Sequence, residues 1–401
     1  MLNLQIFKNE KARGFWGLYF GRSIFLISSG LLTIFLPIFL YEVFSRNFQY
    51  TILFYLLGSL TYGALVAFGA QFLNKFGFKR ALVLATVWGA SFYISLFSIE
   101  KFGFIKILIP ITFLSLLLFR IFYWVPYRID FAKFTDRQNR GKQVSMLFAT
   151  ITFFGALGPI AAGWIINNYG FSALFLTATS LFVFAVAPFS IIPRTKEKFT
   201  WSYKQTWKHL LSRKNRHIVL GLMANGAENT IGLVVWPIFI YLLLDGNYLE
   251  IGALSSFIVA GTIVFQLLAG KYLDKMPEKE KMLRLGSIFT ALGWVLKIFV
   301  ITAFHIFAAG LYHSITRILT RTSIETMFYE LAADSGHYID EYTVLREMAI
   351  SMGNVIALSL VILISLYLPI QWTFAVAATA AILLNNFYLR NDGESGNIKL
   401  N

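Results

Sequence analysis

Long apolar runs alternate with short polar segments along the whole chain. The runs fall at 15–41, 48–73, 80–98, 104–127, 143–166, 170–192, 217–244, 249–273, 283–302, 305–329, 344–366 and 370–390. An α-helix needs about 20 mostly apolar residues to cross the hydrocarbon core of a bilayer. The pattern therefore predicts an all-α polytopic membrane protein with twelve transmembrane helices. Six precede a polar, basic stretch and six follow it. This gives a six-helix bundle at 1–192, an interdomain loop at 193–216 and a second six-helix bundle at 217–401. The run from Phe15 to Tyr41 is too long for a signal peptide and lacks a small-residue cleavage site, so it is read as the first spanning helix. Most other connections are as short as Asn167-Asn168-Tyr169-Gly170, with no room for an outer receptor or catalytic domain.

The two halves repeat one another. Pro37-Ile38-Phe39-Leu40-Tyr41 matches Pro237-Ile238-Phe239-Ile240-Tyr241 at an offset of 200 residues. Further on, Gly69 matches Gly270, and Leu73-Asn74-Lys75 matches Leu273-Asp274-Lys275. Self-similarity at half the chain length means one structural unit used twice, and in a hydrophobic chain two related halves point to alternating access.

Composition supports the bilayer assignment. Hydrophobic residues make up 57% of the chain and charged residues 14%, against about a quarter charged in soluble domains. Of 35 lysines and arginines, 27 fall on the side that holds both termini, while the opposite loops hold only Arg46, Lys101 and Lys106. The positive-inside rule then places both termini in the cytoplasm and accounts for the net charge of +15 without a nucleic-acid partner. There is no cysteine, which excludes disulfides and thiolate chemistry. Within 193–216, Tyr203, Trp207, Leu210 and Leu211 fall at helical spacing, which predicts an amphipathic helix at the cytoplasmic interface joining and anchoring the halves.

The segment Gly69-Ala70-Gln71-Phe72-Leu73-Asn74-Lys75-Phe76-Gly77-Phe78-Lys79-Arg80 resembles the loop signature of the major facilitator superfamily (MFS). In that family a glycine, a Leu-Asp-Arg/Lys core, a second glycine and paired basic residues lie between helices 2 and 3. The second copy, from Gly270 to Lys275 and including Asp274, sits between helices 8 and 9, where the family also places one. Helix 5 carries Gly155-Ala156-Leu157-Gly158-Pro159-Ile160-Ala161-Ala162-Gly163, like the Gly-Pro motif commonest among the family's exporters, and helix 4 carries the intramembrane Arg120. The resemblance covers the whole chain and implies the MFS fold, with helices 1, 4, 7 and 10 around a central cavity. It also implies that the acidic loop residue helps latch the halves. Asn74 stands there in the first copy, so capping of the turn or of the next helix survives, while a charged latch rests on Asp274.

Ionisable residues inside a bilayer cost about 2.5–3.5 kcal/mol each on insertion scales, so each should face protein or water. In helix 7, Asn225, Glu228, Asn229, Gly232 and Trp236 share one face. The offset maps Glu228 onto Ser28, so this charge belongs to one half only. Two roles stay open for it, proton carrier or permanent partner of an arginine. Arg120 maps onto Arg321, helix 1 adds Arg22 on a face with Ser29 and Thr33, and helix 10 carries His313, Arg317, Arg321 and Glu325 at steps of four. Glu325 can pair with Arg321 one turn away. Lys297, near the outer end of helix 9, is expected to snorkel. The arginines form either an inward-facing vestibule for an anion or a set of structural pairs. Tyr123, Trp124 and Tyr127 beside Arg120 suit stacking of an aromatic compound, or an interfacial belt.

These features predict a secondary transporter in the plasma membrane, working as a monomer without a cofactor. It would move a small solute by alternating access, coupled to protons, with export of organic anions or amphipathic compounds as one direction. No Gly-x4-Gly-Lys-Ser/Thr loop is present to cradle ATP phosphates. The alternatives are a proton-independent facilitator and a membrane enzyme acting on lipid-linked substrates. The five histidines, at 209, 217, 305, 313 and 337, are too scattered to suggest a catalytic or metal cluster.

Overall fold

The computed structural model describes residues 10–134, 140–194, 199–273, 279–334 and 339–387, and every element within them is helical. In chain order these are α1 (Glu10–Leu32), α2 (Phe35–Val43), α3 (Phe48–Phe76), α4 (Phe78–Phe102), α5 (Ile105–Phe134), α6 (Arg140–Phe184), α7 (Val186–Ser190) and α8 (Tyr203–Leu210). The second half holds α9 (Arg216–Thr230), α10 (Trp236–Leu243), α11 (Tyr248–Leu273), α12 (Lys279–Ile298), α13 (Ala303–Asp334), α14 (Ile339–Ser365) and α15 (Phe374–Leu383). Among the described residues, eight helices are long and apolar enough to cross a bilayer. Leu60, Phe68, Val87, Ile94 and Leu267 are exposed on the outside of the helices, as lipid as the solvent requires.

The first predicted span is two helices. α1 stops at Leu32 and α2 resumes at Phe35, because Pro37 has no N–H to donate to the carbonyl of Thr33 one turn back and its ring crowds that carbonyl. Pro237 does the same in the second half, where α9 widens into a π turn at Ile231–Val235 before α10. Each prolyl helix ends in a matching turn. Ser45 and Arg46 (φ 56° and 60°) answer Asp245 and Gly246 (φ 48° and 78°). The side chains of Asn47 and Asn247 then accept the backbone N–H groups of Tyr50 and Glu250 to start the next helix. The short connection at 167–170 is a sharp joint inside α6, with Gly170 at φ 76°, a left-handed value that suits a residue without Cβ.

These turns lie at one end of the molecule, the short-turn end. Residues 199–216 and the starts of α4 and α12 lie at the other, the basic end. The two halves meet along two helix pairs, α3 with α14 and α6 with α11. In the second pair, a Cβ at Gly163 would sit 2.5 Å from the carbonyl oxygen of Tyr248, and one at Gly158 would sit 2.8 Å from the backbone of Gly30 in α1. Small residues at these points let the backbones touch. The hydroxyl of Ser256 accepts the N–H of Ile160 at 3.0 Å just after Pro159.

The expected amphipathic helix in 193–216 is α8, started by a capping box between Ser202 and Gln205. It rests on α3 and α14 with Thr206 and Leu210 buried, while Tyr203 and Leu211 of the predicted face stay exposed.

Candidate functional site

Glu228 is buried at the centre of a polar cluster within the second half. The indole of Trp294 donates to its Oε1 at 2.9 Å, and His313 Nε2 lies 3.4 Å from the same oxygen. Arg317 Nε lies 3.4 Å from Oε2, and the same guanidinium donates to the side-chain oxygen of Asn229. The helix 7 stripe therefore faces α12 and α13, with Gly232 against Trp294 at a would-be Cβ distance of 3.5 Å. Asn225 is half-buried one turn below. Lys297 differs from its expectation. It does not snorkel but is 2% exposed, with its ammonium 3.9 Å from the Trp294 ring centre and 4.4 Å from that of Trp236. Two indole faces replace part of the water that a lysine loses on burial.

In the first half, Arg22 donates to the hydroxyl of Tyr123 at 3.0 Å and lies over Trp124 at 5.0 Å and Tyr127 at 5.4 Å. The aromatic cluster thus surrounds Arg22 rather than Arg120. Arg128 covers Trp124 from its own position at 5.4 Å. On α1, Ser29 and Thr33 are exposed; on α13, Arg321 is exposed, within Coulombic reach of Arg22, Arg317 and Glu325. Arg317 remains about a third exposed. Cationic groups from both halves thus converge where the halves face one another.

Sequence reasoning missed a third group, which joins the halves. Arg120 sits over the Tyr62 ring at 4.0 Å, and the Tyr62 hydroxyl donates to Glu347 Oε2 at 3.1 Å. Glu347 Oε1 lies 3.3 Å from Arg128 Nε. Next to Glu347, Arg346 forms a two-pronged pair with Glu325. Arg321, the partner that spacing predicts for Glu325, lies within Coulombic reach of it, while both carboxylate oxygens take the fork of Arg346, buried in α14. Its signal was legible as an Arg-Glu dipeptide placed inside an apolar run.

The loop residues also take unexpected partners. Asn74 does not cap a turn. Its side chain donates to the carbonyl of Phe199 at 2.6 Å and accepts the N–H of Phe199 at 2.8 Å. Gln71 donates to the carbonyl of Trp201 at 3.0 Å, and Glu341 on α14 accepts from the backbone and hydroxyl of Thr200. A Cβ on Gly69 would meet Ile121 at 2.6 Å, so this glycine seats α3 on α5. Gly77 ends α3 and precedes α4 at φ 89°, and Arg80 is exposed in the first turn of α4. Gly155 faces Val259 at ordinary contact distance. Gly270 lies in α11, and Asp274 lies outside the described residues.

At the short-turn end, Glu42 Oε1 accepts the hydroxyls of Tyr241 and Tyr248, both at 2.6 Å. Gln49 on α3 donates to the carbonyl and hydroxyl of Ser365 on α14, each at 3.3 Å.

The Major Facilitator Superfamily family model matches residues 18–242. The fold is similar to crystal structures of a mutant of the peptide transporter POT. The complex with alafosfalin is 13% identical, with a TM-score of 0.63 over 93% of each chain. The structure without a named ligand is 14% identical, with a TM-score of 0.64 over 93% of this chain and 92% of the other. No curated protein matches the sequence. The intramembrane charges, the paired halves and the family match lead to one assignment: the chain belongs to the Major Facilitator Superfamily and is a multi-pass membrane transporter, not an enzyme.

Proposed function

We propose that this transporter carries small organic anions by alternating access, driven by a proton gradient. The observation that carries the reading is the convergence of Arg22, Arg317 and Arg321 from the two halves, with Glu228 beside Arg317 and Glu325 within Coulombic reach of Arg321. That leaves a positive excess where a solute would sit, and guanidinium groups match carboxylate and phosphate geometry. Trp124, flanked by Arg22 and Arg128, favours anions that also carry an aromatic or amphipathic part. In this reading the chain crosses the plasma membrane twelve times, and the basic end faces the cytoplasm with both termini. The protein works as a monomer. The Gly158-Pro159 motif supports export as the direction. The POT structures supply a precedent for a transporter of this fold that binds organic solutes.

Flux in proteoliposomes tests the reading. With an imposed pH gradient, a panel of radiolabelled organic anions should include one that accumulates, and collapsing the gradient should stop accumulation. Equilibration indifferent to the gradient would identify a facilitator. Arg321→Ala should raise the KM for the transported anion roughly tenfold or more, since a charged hydrogen bond contributes about 1.5–3 kcal/mol.

A further inference from the structure

The strap that joins the halves is strongly basic. Between 199 and 216 the sequence holds Lys204, Lys208, Arg213, Lys214 and Arg216, with no aspartate or glutamate. All of these cations are exposed, and none belongs to a described ion pair. At 3.6 residues per turn, the surface of α8 divides into stripes. Thr206 and Leu210 are buried on the side that rests on α3 and α14. Tyr203, Trp207 and Leu211, at steps of four, come next, with Tyr203 39% and Leu211 71% exposed. Lys204 and Lys208, one turn apart, border that apolar stripe on its outer side.

The apolar stripe continues onto the lipid-facing side of α3. The Tyr203 hydroxyl donates to the carbonyl of Ala64 at 3.2 Å, well inside the helix that ends at Phe76. At 1.5 Å per residue, that carbonyl lies about 18 Å from the helix end. Along the same stretch Phe68 and Phe72 are exposed, where lipid is the solvent. Helix α8 therefore lies beside lipid rather than above it in water. From there the lysine stems run along apolar surface and carry their ammonium groups out to the phosphates.

We propose that α8 is a binding site for an anionic phospholipid of the leaflet at the basic end. The acyl chains pack on Tyr203, Trp207 and Leu211, and the headgroup phosphate sits between Lys204 and Lys208. Arg213, Lys214 and Arg216 follow directly and extend the positive field along the headgroups. An acidic soluble partner would answer the charges but leave the apolar stripe in water; a lipid satisfies both. Residues 199–203 are fastened to α3 through Asn74, Gln71 and Ala64, and to α14 through Glu341. A lipid seated on α8 thus bears on both halves.

The chain has no cysteine, so Leu211→Cys gives a single attachment point for a bimane fluorophore inside the apolar stripe. In phosphatidylcholine vesicles, phospholipids brominated on their chains quench such a fluorophore on contact, and mixtures give the relative affinity of two lipids. Brominated phosphatidylglycerol should be preferred over brominated phosphatidylcholine. Lys204→Gln and Lys208→Gln should each lower that preference roughly fivefold, the equivalent of about 1 kcal/mol per lysine at an anionic surface. Arg80→Gln with Arg284→Gln, which removes exposed charge elsewhere at the basic end, should leave it unchanged. Quenching by neither lipid, or equally by both, would overturn the proposal. So would a preference that survives loss of both lysines or falls as far in the arginine pair. Inorganic phosphate that abolishes the preference would reduce the site to one for free anions, and polyglutamate that shields the fluorophore from brominated lipid would assign the face to an acidic protein; either result overturns the lipid assignment.

Discussion

Each buried charge in this protein is held by a specific set of neighbours, and those sets predict what single substitutions do. Glu228 is 2% exposed and is touched by an arginine, a histidine and an indole N–H. Removing one partner of a buried ion pair costs about 3–5 kcal/mol, because the other charge stays buried without compensation. Glu228→Ala should therefore lower the thermal midpoint of the purified protein far more than Ser29→Ala, whose side chain is exposed. Equal midpoints would show that Arg317 finds water or another acceptor. Residue spacing put Glu228 on one helix face and His313 with Arg317 on another, but did not show that the two faces meet. It could not reveal Trp294 or Lys297. An apolar indole with one N–H looks like core in a sequence, and a lysine near a helix end looks like a snorkelling one until two ring faces are seen to enclose it.

The elements follow from local chemistry more directly than the contacts do. Apolar run lengths located the helices, and the repeated prolines at 37 and 237 explain why the first helix of each half is broken. The repeat extends further than its motif, into paired left-handed turns and paired asparagine caps. What periodicity could not show is where the mismatch at Asn74 leads. An amide can donate and accept at once, and here it grips both main-chain groups of Phe199 in the strap that joins the halves. A carboxylate can only accept. Asn74→Asp, which installs the acidic residue the loop signature resembles, should leave the Phe199 carbonyl facing a carboxylate and destabilise the protein by about 1–3 kcal/mol. A thermal unfolding curve that does not move would show that the strap contact contributes little.

At the scale of the whole molecule, the halves are joined at both ends. Glu42 with Tyr241 and Tyr248 closes the short-turn end, and Glu347 with Tyr62 and Arg128 closes the basic end. Replacing both phenols, as Tyr241→Phe with Tyr248→Phe, should lengthen the distance between spin labels at Y50C and Y367C without altering that between labels at K75C and R284C at the basic end. A change confined to the basic end would contradict the placement of this contact. Hydropathy and the repeat made the two-part architecture legible; the joining contacts were not, because each pairs residues remote in sequence with no shared motif. The strap at 199–201 carries one more consequence. Asn74 and Gln71 read main-chain groups, and Glu341 accepts a backbone N–H as well as the Thr200 hydroxyl. Position 201 is held by its carbonyl, so drift there among descendants of this chain leaves the tether in place, while Asn74 tolerates no such drift. An alignment of relatives should show a variable strap framed by invariant polar positions on α3 and α14.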